Sequence, residues 1–490
     1  MIGALRAACE EMGVVLVRSA HSANIKERRD ASTGLFDASG QMVMQAEHIP
    51  VHLGAMPAAV AAVLDEDHAE GDAWILNDPY RGGTHLPDIT AVSPVFADGE
   101  LVGFAASRAH HADVGGSVPG SMPADSTTLD EEGVVIPPTK LVSGGEIDRE
   151  VLDGITGRMR GPRQRVADLR AQLAANRAGE RRLVELVERY GIAELRTAMD
   201  ETLDYAERRT RAAIEELGGG ERTATDVLEA REGDLTLCVT ATVDGSDLTL
   251  DFTGSADAHE GNLNCPLSVT LSACYFAVRV LADPDVPPCA GAYRPVRVIA
   301  PEGCLLNAGP PHAVVAGNVE TSSRVADLVL AAFGRALGQG TMNNLTLGND
   351  DFTYYETIGG GQGACPDADG PSAVHVAMSN TLNTPVEALE LEFPLRAVEY
   401  ALRRGSGGDG EHRGGDGVVR EVEALADMSY SLLTERRRHS PRGADGGGDG
   451  QRGRNLLNGD EVPPKSAGTL SAGDRLRIET PGGGGHGRTN

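Results

Sequence analysis

Lysine, closely spaced cysteines and long apolar runs are what this 490-residue sequence has least of, and each shortage excludes something. No run approaches the ~18 apolar residues that a membrane-spanning helix needs. Only three lysines occur (Lys26, Lys140 and Lys465), and none follows a glycine. No G-x-x-x-x-G-K-[ST] phosphate loop therefore exists, and ATP, if used, is not held by this chain in that way. The seven cysteines form no C-x-x-C pair; the nearest two, Cys265 and Cys274, sit among apolar neighbours. Reduced core thiols are expected rather than disulfides or a thiolate zinc site. Basic residues are outnumbered, 44 against 72 acidic ones, for a net charge of −28. Such a surface repels nucleic acid and anionic membranes, so neither is an expected partner. The arginine bias with excess acid fits a GC-rich genome, a high-salt cytoplasm, or both. Adjacent Glu10 and Glu11 stand where an export signal would be apolar, so the chain is expected in the cytoplasm.

What is present reads as a mixed α/β chain of roughly three domains, at ~150 residues each, or two large ones. The expected division is an N-terminal α/β region (1–155), a helical segment (156–220) and a strand-rich region with a glycine-rich tail (221–490). Glycine and proline, 62 and 26 residues, stay short of the ~25–30% that marks disorder. Residues 1–18 have an amphipathic helical pattern, and LFDASGQMVMQ reads as strand–turn–strand about Ser39-Gly40. Residues 48–70 read as a loop entering a helix, and WILNDPY as a buried strand. Helical periodicity runs from about 160 to 217 with a break at Tyr190-Gly191. Leu169, Leu173 and Asn176 mark one face, Leu183, Leu186 and Val187 another. Such a helix pair more often docks domains or subunits than performs chemistry. Strands follow Gly218-Gly219-Gly220, with helices at about 266–282 and 322–338.

The most informative stretch is NDPYRGGTHLPDITAVSPVFADGELVGFAASRAHHADVGG, residues 77–116. Asp98-Gly99 is a two-residue hairpin signal. With that turn Ala97 faces Glu100, which sets Asp88 opposite Ala109 and His85 opposite Ala112. His110 and His111 then lie beside His85 and Asp88 at one end of an apolar hairpin. Nitrogen and oxygen ligands without thiolate suit Mn²⁺, Fe²⁺ or Zn²⁺ with open positions. The bland alternative is hydrogen-bonded turn chemistry. Strand parity favours His111 with Asp88, but Pro87 breaks the strand, so His110 and His111 both stay open on this argument.

Other polar clusters are weaker. Lys26, Arg28 and Arg29 in NIKERRD form either an anion site or a salt-bridge loop. GNVETSSR (317–324) reads as a helix N-terminus that is either an anion site or a simple cap. Asn343, Asn344, Glu356 and His375 are candidates for lining a substrate cavity, with glycines 359–361 nearby serving a cavity or tight turns. The run DGGGDGQRGRN has the glycine of a phosphate loop but no preceding strand, and that reading is rejected.

Taken together, NIKERRDASTGLFDASGQMVMQAEHIPVHLGAMP, GDAWILNDPYRGGTHLPDIT, SRAHHADVGG, EEGVVIPPTKLV, GNVETSSR, QGTMNNLT, YYETIGGGQGA, NTPVEALE and FPLRAVEYALRRGSGGDG resemble the hydantoinase B family. That family includes the C-terminal half of 5-oxoprolinase and the large subunit of acetone carboxylase. The resemblance implies a partner, a hydantoinase A-type ATPase subunit that binds ATP-Mg and phosphorylates the substrate carbonyl, in a hetero-oligomer. It implies a divalent metal, Mn²⁺ before Zn²⁺ or Fe²⁺, on His85, Asp88 and His110. Against the family pattern the chain starts inside the usual first helix, His21 replaces an aromatic, and 443–454 lacks a common lysine.

Three functions compete. In the first, a small cyclic amide such as N-methylhydantoin or 5-oxoproline is phosphorylated by the partner and opened by water at the metal, with His111 or Asp113 as catalytic base. In the second, the same site carboxylates a ketone. The third is a non-catalytic scaffold for the ATPase subunit, which would have no need of metal-type ligands.

Overall fold

The computed structural model describes residues 1–47 and 49–489; His48, which opens the expected 48–70 loop, lies outside them. The fold is mixed α/β, as expected. Its first half is one antiparallel sheet in the order β2-β1-β5-β4-β3-β6-β7. The strands are β1 (Ala31–Asp37), β2 (Met42–Glu47), β3 (Ala73–Leu76), β4 (Asp88–Ala97), β5 (Glu100–His110), β6 (Thr139–Ser143) and β7 (Glu146–Ile147). Asp98 and Gly99 close the β4–β5 hairpin at positive φ, 52° and 79°, the geometry that a tight turn between right-twisted strands demands.

The expected register fails three residues from that turn. Phe96 still pairs with Leu101, but Val95 pairs with Gly103, which leaves Val102 as an extra residue in β5. Gly103 cannot be replaced there, because a Cβ would sit 2.1 Å from the Phe36 carbonyl oxygen on β1. Beyond the bulge every pair is shifted by one. Asp88 faces His110, not Ala109.

The helix Pro162–Tyr190 covers this sheet. Gly161 (φ 63°) and Pro162 start it, and Gly191 (φ 84°) ends it before the next helix, Ile192–Glu216. It lies along β4, β5 and the helix Ile2–Ser19. Leu169 and Leu173 are buried, while Asn176 donates to the Ala91 carbonyl and Ser93 Oγ. The first helix of the pair is thus consumed by packing within the chain. No helix of the described residues is long and apolar enough to cross a membrane.

The second half begins with a sheet ordered β11-β10-β9-β8, from β8 (Gly220–Glu229), β9 (Asp234–Asp244), β10 (Asp247–Asp251) and β11 (Val296–Ile299). Leu237, Val239, Ala241 and Val243 alternate inward and pack with the helices Leu267–Leu281 and Ser322–Ala332. The second helix ends at Ala332, six residues short of expectation. Two further sheets share a core. Their strands are β12 (Asn344–Gly348), β13 (Thr353–Glu356), β14 (Leu395–Arg403), β15 (Gly417–Ala424), β16 (Met428–Leu433), β17 (Arg454–Leu457), β18 (Asp460–Glu461), β19 (Lys465–Leu470) and β20 (Arg475–Glu479). The orders are β13-β12-β16-β19 and β14-β15-β20-β17-β18, packed through Leu345, Leu347, Val418, Leu432, Leu476 and Ile478.

Glycine does a different job from the one expected. Gly361, Gly415 and Gly483 belong to segments that pack backbone against backbone. A Cβ on Gly361 would lie 2.0 Å from the Gly415 oxygen, and one on Gly483 2.0 Å from the Gln362 oxygen. All seven cysteines are free; Cys365 is exposed rather than in a core.

Candidate metal centre

Four side chains from three parts of the chain meet at the end of the β4–β5 hairpin. His85 and Asp88 come from the turn that enters β4, and His110 ends β5 directly opposite Asp88, hence on the same face. His52 arrives on a short 3-10 turn, Pro50–His52. Its Nε2 lies 3.4 Å from Asp88 Oδ2; His85 Nε2 and His110 Nδ1 lie 3.2 and 3.3 Å from Asp88 Oδ1. Thr84 Oγ1 donates to Asp88 Oδ2 at 2.6 Å, and Ser32 Oγ holds His52 Nδ1 at 2.9 Å. All four residues of the cluster are buried.

The residues fit a divalent cation. One ligand atom each from His85, Asp88 and His110 lie within 4.8 Å of one another, and the three can hold a metal ion. Asp88 Oδ1 and His85 Nε2 are buried and close, yet make no hydrogen bond. Buried polar atoms are normally paired, so atoms that converge without bonding geometry point to a shared ligand between them. A nitrogen and oxygen donor set without sulfur suits a Mn²⁺, Fe²⁺ or Zn²⁺ ion. Burial pushes the Asp88 carboxyl up, but His85, His110 and His52 overcome this and hold it well below the usual carboxylate range. Burial lowers His110, which favours the neutral imidazole that binds metal. A cavity of about 20 Å³ adjoins the cluster, lined also by Asn318 and Tyr355. That is room for about one water-sized group.

Behind the cluster stands an aromatic–cation stack. Tyr355 lies flat on His110, with ring centroids 4.5 Å apart, and the Arg28 guanidinium stands over the Tyr355 ring, 4.6 Å from its centroid. Arg28 is fully buried and donates to the Tyr355 carbonyl, Thr357 and Thr381. This arginine of NIKERRD therefore stands behind the cavity, with Asp30 3.9 Å away, and is not an open anion site.

His111 and Asp113 are not brought to the cluster. Successive strand residues face opposite ways, so His111 points under the helix Pro162–Tyr190, where its Nε2 meets Gln172 Oε1 at 2.9 Å. Burial pushes it down to about 4. Strand parity favours this histidine only in a hairpin without a bulge. Asp113 accepts from the N–H groups of Gly115, Gly120 and Arg160 and from the Arg160 guanidinium, which uses it as a turn anchor.

The four candidates for substrate contact lie one step behind the cavity, which their neighbours Met342, Tyr355, Thr357 and Ser379 line. Asn344 Oδ1 accepts from the Tyr355 hydroxyl at 2.6 Å. Asn343 bonds Gln339 and Arg437, Glu356 bonds Arg420 and Asn383, and His375 Nδ1 meets Ser379 Oγ at 2.7 Å. GNVETSSR offers no open helix end: a π-helical turn, Gly317–Thr321, runs straight into the helix Ser322–Ala332. That turn carries Asn318 to the cavity, where its Oδ1 has no partner.

His52, Ser32, Tyr355 and Asn318 were not singled out from the sequence. His52 sits in the conspicuous HIPVHLG stretch, but no period or register ties it to the hairpin.

The whole chain, residues 1–489, matches the model of the hydantoinase B/oxoprolinase family. It is 41% identical to 5-oxoprolinase 1 of Arabidopsis thaliana over 98% of its own length and 40% of that protein's. A protein of Pseudomonas sp. (strain NS671), named as the B component of a D-/L-hydantoinase, is 33% identical over 99% of this chain and 89% of that one. The solved ATP-dependent caprolactamase from Pseudomonas jessenii superposes with a TM-score of 0.93 at 28% identity, covering 99% of this chain and 90% of that one. The chain thus spans about two-fifths of the plant 5-oxoprolinase and nearly all of the separate hydantoinase component. On its sequence, its fold and the full-length match, the chain belongs to the hydantoinase B/oxoprolinase family.

Proposed function

We propose that this chain is the B-type component of an ATP-dependent cyclic-amide hydrolase, acting on a ring whose carbonyl a hydantoinase A-type ATPase subunit phosphorylates. The observation that carries the reading is the buried convergence of His85, Asp88 and His110, able to hold a metal ion, with His52 Nε2 3.4 Å from Asp88 Oδ2 beside them. Relatives named as a 5-oxoprolinase, a hydantoinase component and a caprolactamase, all acting on cyclic amides by name, supply the substrate class. The missing phosphate loop fits a division of labour in which ATP and Mg²⁺ belong to the partner.

An unstrained cyclic amide hydrolyses slowly because its carbonyl is a poor electrophile and its nitrogen a poor leaving group. Phosphorylation of the carbonyl oxygen supplies a leaving group. His85, Asp88 and His110 are the residues that would hold a divalent ion, Mn²⁺ first, and such an ion supplies Lewis acidity to an oxygen. His52 takes the base role that the sequence offered to His111 and Asp113. Ser32 fixes its Nδ1, which leaves Nε2, on the cavity side, as the atom that takes and returns a proton. Tyr355 and Arg28 keep the His110 ring in place from behind.

The test combines this chain with an A-type partner, ATP, Mg²⁺ and Mn²⁺, and offers hydantoins, 5-oxoproline and acetone with labelled bicarbonate. ATP-dependent ring opening is the expected result. Label entering a β-keto acid with no ring opened would replace the hydrolase reading by a ketone carboxylase.

A further inference from the structure

The stretch Glu435–Arg454 is basic in an acidic protein: six arginines and a histidine against three carboxylates. Folding gathers part of that charge. Arg437, Arg452 and Arg454 join Arg403 of β14 around one polar cleft of about 690 Å³, with Asp449 and Glu461 as its acidic residues. No residue of the metal cluster lines it.

The guanidinium groups are anchored by a few of their N–H groups and leave the others open. Arg403 Nη1 donates to the carbonyls of Arg452 (2.7 Å) and Thr480 (3.1 Å) while its Nε lies 3.6 Å from Glu479 Oε2, and Arg452 Nη1 donates to the Arg438 carbonyl (3.1 Å). Arg454 uses Nε and Nη2 on Glu479. Among the described residues, Arg403 Nη2, Arg452 Nε and Nη2, and Arg454 Nη1 have no acceptor. Arg437 is buried at the back, on Asn343 Oδ1, Asn455 Oδ1 and the Glu435 carbonyl, all neutral acceptors. The absence of a side chain at Gly453 makes its place: a Cβ there would lie 2.5 Å from Arg437 Nη1.

We propose that this cleft binds a phosphate group, free or carried on a small molecule, through Arg403, Arg452 and Arg454. A carboxylate has two oxygens and satisfies one guanidinium fork. A phosphate presents more oxygens and up to two charges, enough to be shared by several forks. The cleft is larger than one phosphate, which leaves space for a carrier. The glycine-rich run is no Walker-type loop, since no strand precedes it and no lysine ends it; its arginines do the work. The site stands independently of the amide-hydrolase reading.

The test is calorimetric titration of the purified chain at constant ionic strength with phosphate, pyrophosphate and Mg²⁺-free ATP, with acetate as control. Arg452→Gln, the Arg452→Gln/Arg454→Gln pair and His85→Ala are compared with Arg196→Gln on a distant helix. Saturable binding of at least one phosphate ligand is expected, with the tightest of the three showing whether the group arrives free or carried. Loss of a charge-assisted contact should weaken it about tenfold in the double variant and severalfold in Arg452→Gln. It should persist in Arg196→Gln and His85→Ala. Circular dichroism confirms that the double variant is folded; if it is not, the Arg452→Gln result decides. No saturable binding, equal binding of acetate, unchanged affinity in the arginine variants, or loss in His85→Ala would each overturn the proposal.

Discussion

Asp88 and His110 face each other across the β4–β5 hairpin because Val102 is an extra residue in β5. Without that bulge Ala109 would stand opposite Asp88 and the histidine would turn to the other side of the sheet. One residue of register separates a cluster that can hold a cation from an apolar strand end.

Purified chain is expected to hold about one divalent ion, and to lose it in His85→Ala, Asp88→Ala and His110→Ala, because the unliganded remainder binds poorly. His111→Ala should keep it. Elemental analysis after gel filtration checks both statements, and equal metal in wild type and the three variants would falsify the ligand set.

Ser32 touches no ligand directly but holds the His52 ring. Ser32→Ala is expected to weaken metal affinity or activity by about 10–100-fold, the usual effect of removing a group that orients a site. Competition with a chromophoric chelator measures the first. An unchanged affinity with an unchanged rate would leave His52 without a role.

Arg28→Met removes a buried cation from Tyr355, Thr357 and Thr381 together. Loss of about 3 kcal/mol in urea unfolding is expected, since buried acceptors are left without a donor. A loss under about 1 kcal/mol would mean that the stack is not held by Arg28.

Glu320 gives a stability signature in pH. Burial first, and then the charge of Glu435, push its carboxyl from 4.5 up to about 8. The folded state therefore keeps a proton that the unfolded state releases. Its contribution is neutral below pH 4.5, becomes increasingly destabilising as pH rises toward 8, and levels off above, at ~1.4 kcal/mol per pKa unit. Glu320→Gln keeps the acceptor for the Met342 N–H and cannot ionise. Its stability relative to wild type should increase between pH 5 and pH 8 in urea titrations. A constant difference would show that Glu320 is ionised in the fold.

The chain alone should not hydrolyse ATP, having no phosphate loop. Phosphate release from the pure chain, with contaminants excluded, would overturn the division of labour between subunits. Binding of ATP at the arginine cleft without turnover would leave it intact.

The sequence by itself determined the elements and the chemistry on offer. Asp98-Gly99 makes a tight turn, Tyr190-Gly191 breaks a helical period that starts at about 160, and three lysines without a glycine partner exclude a phosphate loop. These are preferences of neighbouring residues, written in a short window. His85, Asp88 and the His110-His111 pair could be found that way, as could the family. The residues alone left the two histidines open and the family resemblance pointed to His110; the tertiary structure supplies the physical reason, a register shifted by one. The bulge is set where Gly103 passes under the Phe36 carbonyl of another strand, and no local rule contains that contact. His52 enters on a turn with no register to the hairpin, and Arg28 reaches Tyr355 across more than three hundred residues. Gly361 and the glycines of 482–485, which read as cavity lining or turns and as a tail, pack backbone to backbone. Long-range approach, not local propensity, decides which atoms meet, and the centre of this protein is built from such meetings.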